Sequence, residues 1–222
     1  MKRNIIKTAD GSHTIFLPDY NEYYHSKHGA INEACHVFIK NGLHQFTAKD
    51  PVNILEMGFG TGLNAFISFL ETVKHGYNIN YTAIEAFPVK PDEIVKLNYV
   101  SSLKSEKYSD IFSKLHDVPW QTKHQISDKF SLTKTESKLE NVSLELSYNL
   151  IYFDAFGPRV QPELWTLPIF EKLYNCLENK GILVTYSAKG SVKRNLQEAG
   201  FNVEKLTGPP NKRHMLRATK TE

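Results

Sequence analysis

The chain is short of cysteine, of long apolar runs and of charge imbalance, and each shortage excludes a class of protein. Cys35 and Cys176 are the two cysteines among 222 residues. They are too few and too far apart for a disulfide framework or a thiolate metal site, so both are expected to be reduced packing residues. No stretch approaches the roughly 20 apolar residues that a bilayer demands, and Met1-Lys2-Arg3-Asn4 is not followed by the apolar run of a signal peptide. A cytoplasmic location with no membrane contact is expected. The net charge is only +3, from 27 basic and 24 acidic side chains, so the total demands no polyanionic partner. His25 and His28, with His36 further on, sit among Tyr, Ser and Lys without a firm helix or a cysteine to complete a tetrahedral set, and no metal is expected.

What is present is an ordinary globular composition, 41% hydrophobic and 23% charged, without repeats, low-complexity tracts or Gly/Ser linkers. One compact domain is expected, with residues 1–50 as an N-terminal extension carrying a helix and 51–222 as the core. Ile31, Ala34, Cys35, Phe38 and Ile39 recur at helical spacing, with Asn32 as the expected N-cap and Gly42 past the end. Val52 to Met57 is a short apolar run suited to a buried parallel strand, and Leu63 to Lys74 then reads as a helix closed by Gly76. Further strands are expected at 81–85, near 130–133, at 149–154 and at 182–186, with helices near 110–115, from about 162 to 177 ending at Gly181, and at 192–199. Residues 201–206 and 215–219 read as a closing antiparallel pair. Strands alternating with helices imply a mostly parallel sheet covered on both faces, with ligands at the carboxyl ends of its strands.

At the first strand-to-helix handover stands Glu56-Met57-Gly58-Phe59-Gly60-Thr61-Gly62-Leu63-Asn64. Glycines at alternate positions let the backbone bend sharply and approach a ligand closely. The spacing differs from the dinucleotide fingerprint, and no Lys-Ser/Thr ending marks a phosphate loop. Glu56 would repel a phosphate but suits a cationic amino-acid ligand. Glu85 ends the second strand, 27 residues after Gly58, where a carboxylate accepts hydrogen bonds from ribose hydroxyls. Together these favour S-adenosylmethionine over NAD. Asp154 follows the apolar run Ile151-Tyr152-Phe153; burying it unpartnered is costly, so it should face the cleft, where it could accept a hydrogen bond from a substrate amine. Tyr23, Tyr24, Phe87, Phe156 and Trp165 could stack a base, although such aromatics are more often core. From Tyr186 to Glu222 eight Lys/Arg stand against three Glu, a local excess that fits phosphates if it shares one face.

At these residues the chain resembles the MnmC-type methyltransferase domain of bacterial tRNA-modifying proteins, over roughly residues 20–218. The motifs are Tyr24-His25-Ser26 with Gly29, Ala30 and Glu33; Glu56 to Asn64; Glu85-Ala86-Phe87-Pro88; Asp154 to Pro158 followed by Pro162-Glu163-Leu164-Trp165; Tyr186-Ser187-Ala188 with Val192-Lys193-Arg194; and Lys212 to Leu216. The family pattern has Gly-Phe-Ala-Pro after its aspartate where this chain has Ala155-Phe156-Gly157-Pro158. The resemblance implies a Rossmann-like class I S-adenosylmethionine-dependent methyltransferase fold, with a mostly parallel seven-stranded sheet, an antiparallel final strand and a small N-terminal extension. It implies methylation of the 5-aminomethyl group of a (2-thio)uridine at the tRNA wobble position, within the anticodon stem-loop. Cofactor contact falls to Glu56, Gly58, Gly60, Thr61, Gly62, Asn64 and Glu85, with Glu136 near the adenine, and catalysis to Asp154. Phe156 and Pro158 would meet the substrate base, and Lys189, Lys193, Arg194, Lys212 and Arg213 the phosphates, joined by Arg217 in the same basic stretch. No FAD is expected; any oxidase step would belong to a separate partner, or the aminomethyl group would be made directly. The rival readings are a small-molecule amine methyltransferase and a catalytically silent binding module.

Overall fold

A computed structural model describes residues 2–145 and 147–221; Met1 and Glu222, outer bounds of the expected extension and core, lie outside these. The chain opens with strands β1 (Asn4–Lys7), β2 (His13–Leu17) and β3 (Glu22–Tyr23), paired antiparallel in a small sheet. Helix α1 (Ala30–Ala34) runs on into a π-helical turn, Cys35–Lys40, and a 3-10 turn follows at Leu43–Gln45. The core begins with β4 (Val52–Met57), α2 (Leu63–His75), β5 (Ile79–Glu85), α3 (Pro91–Ile94), α4 (Tyr99–Ser102) and α5 (Ser109–Asp117). It continues with β6 (Lys123–Ser127), β7 (Phe130–Glu136), β8 (Tyr148–Phe153), α6 (Leu167–Cys176), β9 (Leu177–Thr185), α7 (Gly190–Glu198), β10 (Phe201–Thr207) and β11 (His214–Lys220).

Residue parity along the central strands builds the layers, because alternate side chains leave opposite faces of a sheet. In β4 and β8, Ile54, Leu150 and Tyr152 join Phe38, Phe66 and Leu115 in one core. Leu55, Met57, Ile151 and Phe153 join Phe170, Leu173, Val192 and Leu196 in the other. Helices therefore cover both faces. Cys176 is buried in the second core and Cys35 packs against the first, both unpaired. Among the described residues no helix is long and apolar enough to cross a membrane.

The sheet order is β10-β11-β9-β8-β4-β5-β7-β6, eight strands rather than the expected seven. The additional strand, β6, is an edge strand antiparallel to β7 with a single buried side chain, Ile126, so it carries little apolar alternation to read. β11 pairs antiparallel to both β9 and β10, as expected of the closing pair. From β4 the chain moves outward through β5 to β7, then returns to lay β8 on the other side of β4. That reversal opens a crevice at the carboxyl ends of β4 and β8.

Three local expectations need correction. The small β1-β2-β3 sheet was not foreseen, because its strands are short and mostly half-exposed. Helix α1 is capped at Gly29 rather than Asn32; Asn32 lies within the first turn, where its N–H donates to Asp10 Oδ2 at 3.0 Å. A carboxylate from a distant loop thus does the capping that a local residue was expected to do. The helix expected from about 162 to 177 is a 3-10 turn, Pro162–Trp165, and then α6, with Pro168 in its first turn, where a missing N–H costs nothing. It ends at Cys176, not at Gly181, and β9 starts at once.

Candidate active site

The β4–α2 loop is built by its glycines. Gly58, Gly60 and Gly62 have φ of 89°, 49° and 71°, in the left-handed region that side chains with a Cβ seldom adopt. A Cβ on Gly60 would stand 3.2 Å from the Tyr24 ring, and one on Gly62 2.8 Å from His116 Nε2. The loop is tied to the sheet from both sides. Gly58 N–H donates to Ile84 O at 2.9 Å, and Asp154 N–H to Met57 O at 3.1 Å. Glu85 accepts from Gly60 N–H at 2.9 Å on one oxygen and from Phe87 N–H at 2.8 Å on the other. Each of its oxygens retains a second lone pair for a ligand.

Strand parity also places the acids. Glu56 and Asp154 leave β4 and the end of β8 on the face covered by α2, and Asn64 in the first turn of that helix reaches both. Asn64 Nδ2 donates to Glu56 Oε1 at 2.9 Å and to Asp154 Oδ2 at 2.8 Å. One amide therefore serves two carboxylates. Glu56 Oε2 and Asn64 Oδ1 are buried with no hydrogen-bond partner. Burial holds the Glu56 carboxyl well above its usual range, and the neighbouring charges of Asp154 and Glu85 push the same way. Asp154 is likewise raised by burial and by Glu33, with Asn64 and Lys212 pulling it down.

These groups border a cleft of about 1100 Å³, counted to its open mouth. Its floor is Met57 to Thr61 with Leu63 and Asn64; one wall is Ile84 to Phe87 with Ser137 to Glu140, and the other is Tyr24, His25, Asp154 and Phe156. His25, enclosed and bonded to Thr14 Oγ1 at 3.1 Å, is lowered by burial to about 4 and stays neutral. Tyr24 meets Phe156 edge-on, ring centroids 5.0 Å apart, and its hydroxyl is pushed up to about 12 by burial. Tyr24, His25, Ala155 and Phe156 also line a second, adjoining cleft with Glu33, Tyr186 and Lys212. Here Lys212 forms an ion pair with Glu33 and stands over the Tyr186 ring at 4.1 Å.

Of the residues singled out in the sequence, Gly58, Gly60, Thr61, Asn64, Glu85, Asp154 and Phe156 line the main cleft. Glu56 is buried behind it, 1% exposed. Gly62 caps α2 beside the floor. Glu136 is paired with Glu85 across β5 and β7 but is exposed and outside the lining, while the acid that does border the cleft from this segment is Glu140. Pro158 lines neither cleft. Lys189, Lys193 and Arg194 begin α7 and Arg213 lies in the β10–β11 turn, both at the end of the sheet where the cleft opens. Among the described residues no acid is paired with any of these four. Arg217 is instead engaged by Glu204 and Gln45. Trp165 is core, donating to Phe156 O at 2.8 Å. Sequence reasoning missed Glu33 and Tyr186 as cleft residues, and weighed His25 only as a metal ligand before rejecting it; their sole signal was membership in the flanking motifs.

A family model described as S-adenosyl-L-methionine-dependent methyltransferase matches residues 97–221, more than half of the chain. The chain belongs to this methyltransferase family. It is 29% identical over 215 residues to the tRNA 5-methylaminomethyl-2-thiouridine biosynthesis bifunctional protein MnmC of Burkholderia thailandensis, covering 91% of this chain and 33% of the relative. The chain thus spans about a third of the curated relative's length. The crystal structure of MNMC2 from Aquifex aeolicus superposes with a TM-score of 0.79 at 27% identity, over 100% of this chain and 71% of that one. Spermidine synthase from Thermotoga maritima shares the fold alone, with a TM-score of 0.54 at 14% identity over 99% and 72%. The Rossmann-like methyltransferase fold expected from the sequence is the fold observed.

Proposed function

We propose that this methyltransferase acts on tRNA, methylating the exocyclic amine of a 5-aminomethyl(-2-thio)uridine at the wobble position. The observation that carries the reading is the Glu56–Asn64–Asp154 bridge at the reversal of strand order, with a second cleft opening from it. The cofactor fits on the protein's own terms. Asn64 Oδ1 is a buried acceptor lacking a donor, and Glu56, with the buried Tyr81 hydroxyl beside its carboxyl, adds a second acceptor, a pair suited to the ammonium of an amino-acid ligand. The glycine loop leaves room for close backbone approach, and Glu85 has lone pairs for a ribose. Ser137 to Glu140 would border the adenine. When bound, S-adenosylmethionine supplies a methyl group on a positively charged sulfur.

The chain's residues would do the rest by positioning. A nucleophilic amine needs a free lone pair, and Asp154, with its raised pKa, holds the amine by a hydrogen bond and accepts the proton released as the new C–N bond forms. Phe156 and Tyr24 line both clefts, so the uridine would sit in the outer one beside the Lys212–Tyr186 pair while its aminomethyl arm crosses to the inner one. An unpaired anticodon base is open to such stacking. Lys189, Lys193, Arg194 and Arg213 would meet the phosphates, in the cytoplasm where tRNA is modified. The aminomethyl group has to be made in a preceding enzymatic step, which a separate oxidase could supply.

The test is incubation of the protein and S-adenosylmethionine with tRNA from cells lacking its gene, followed by mass spectrometry of the wobble nucleosides. Conversion of aminomethyl to methylaminomethyl uridine is expected. Methylation of a small amine but not of tRNA would favour the small-molecule rival, and cofactor binding without turnover the silent module.

A further inference from the structure

At the far end of α2 from the cleft, about 18 Å along the helix by its rise per residue, three side chains converge that the methyl-transfer site does not use. Glu71 and His75 are one turn apart on α2, and His44 comes from the 3-10 turn Leu43–Gln45. One ligand atom from each lies within 4.8 Å of the other two. Glu71 Oε2 is 2.6 Å from His44 Nε2 and 3.5 Å from His75 Nε2. The Glu71 side chain is 10% exposed, and the two histidines, at 39% and 43%, leave one side open to solvent. His44 is held in place: it stacks on Tyr77 with planes 9° apart, and Tyr77 donates its hydroxyl hydrogen to Phe46 O at 3.1 Å.

We propose that His44, Glu71 and His75 form a divalent transition-metal site that fastens the end of the N-terminal extension to α2. Two imidazoles and one carboxylate with a fourth position open to water is a donor set suited to Zn²⁺. Zinc–nitrogen and zinc–oxygen lengths near 2.0–2.2 Å place tetrahedral ligands about 3.4 Å apart. The His75–Glu71 separation already matches this, and the His44–Glu71 pair need open by less than about 1 Å. The competing explanation is a carboxylate that merely accepts hydrogen bonds from both rings. The sequence had no signal for the site, since His44 and the Glu71–His75 pair are separated by the whole of β4 and its glycine loop.

The test is titration of the full chain, stripped with a chelator, with Co²⁺ and then Zn²⁺. One Co²⁺ per chain is expected, with the intense visible absorption of a four-coordinate site, displaced by Zn²⁺. His44→Gln, Glu71→Gln and His75→Gln should each weaken binding by more than the about 10–100-fold that loss of an outer-shell partner costs, with unchanged circular dichroism. Absence of stoichiometric binding overturns the proposal, and so does binding that survives any one of the substitutions. Should Glu71→Gln fail to fold, the two histidine variants at exposed positions decide.

Discussion

The two walls of the cleft are made in different ways. The sheet wall, from Glu56 to Asn64 and at Glu85, is set by backbone geometry: three left-handed glycines, loop amides tied to neighbouring strands, and a carboxylate holding two N–H groups. The outer wall, Tyr24 and His25, continued into the adjoining cleft by the Glu33–Lys212 pair, is set by side chains brought together from the N-terminal segment and the β10–β11 turn. A wall of the first kind suits a cofactor that must be held in one pose. One of the second kind suits an acceptor that arrives and leaves. Arg3 links the two, standing over the Tyr24 ring at 5.8 Å while it donates to Phe87 O at 2.8 Å and Pro88 O at 3.1 Å and pairs with Glu93.

That division is open to attack at its hinge first. Asp154→Asn should lower kcat by about 10²–10⁴-fold, the usual worth of a positioned proton acceptor, while calorimetry shows S-adenosylhomocysteine binding little changed. An unaltered kcat would remove Asp154 from the chemistry. On the sheet wall alone, Gly60→Val places a branched side chain at a φ of 49° with its Cβ 3.2 Å from the Tyr24 ring. Strain of about 1–3 kcal/mol should weaken cofactor binding by about 5–150-fold with the fold retained. Normal affinity would show the loop to be less constrained than its geometry implies.

How much of each wall was legible follows from the same contrast. The sheet wall is largely local: strand, glycine loop and helix are consecutive, Asn64 follows in the first turn of α2, and strand parity alone sets Glu56 and Asp154 on the face that α2 covers. The carboxyl ends of the strands therefore read directly from the sequence. The outer wall depends on Glu33 meeting Lys212 and on Asp10 capping α1, contacts that no local periodicity encodes. β6 escaped notice for a related reason, as one buried side chain leaves no alternation. Glu136 rests on the resemblance across this weakly patterned stretch, and the strand-end register sets it beside Glu85 but leaves it exposed.

Smaller effects sharpen the outer wall. His25, lowered by burial to about 4, binds fewer protons in the folded chain than in the unfolded one between pH 4 and 6.5. Its contribution is therefore intact above pH 6.5 and is lost as the pH falls, by about 2–3 kcal/mol between pH 7 and 4.5. Glu56 and Asp154, held high, work in the opposite sense, gaining stability as the pH falls, so the effect is read as a difference. Urea unfolding of His25→Gln should show a flatter acid limb than the parent chain; parallel curves would mean that the imidazole titrates freely. Least in size, Arg213→Ala should reduce the slope of log affinity for tRNA against log salt by about one, with cofactor affinity unchanged. An unchanged slope would move the phosphates away from the β10–β11 turn.

The amide of Asn64, shared between two acids, has a consequence for the end of the cycle. With one donor group between them, the acids leave buried acceptors that suit an ammonium. Under the proposed function both the methyl donor and its spent product carry that ammonium. This corner would therefore hold either compound, and preference for the one that can still react would have to come from groups nearer the sulfur.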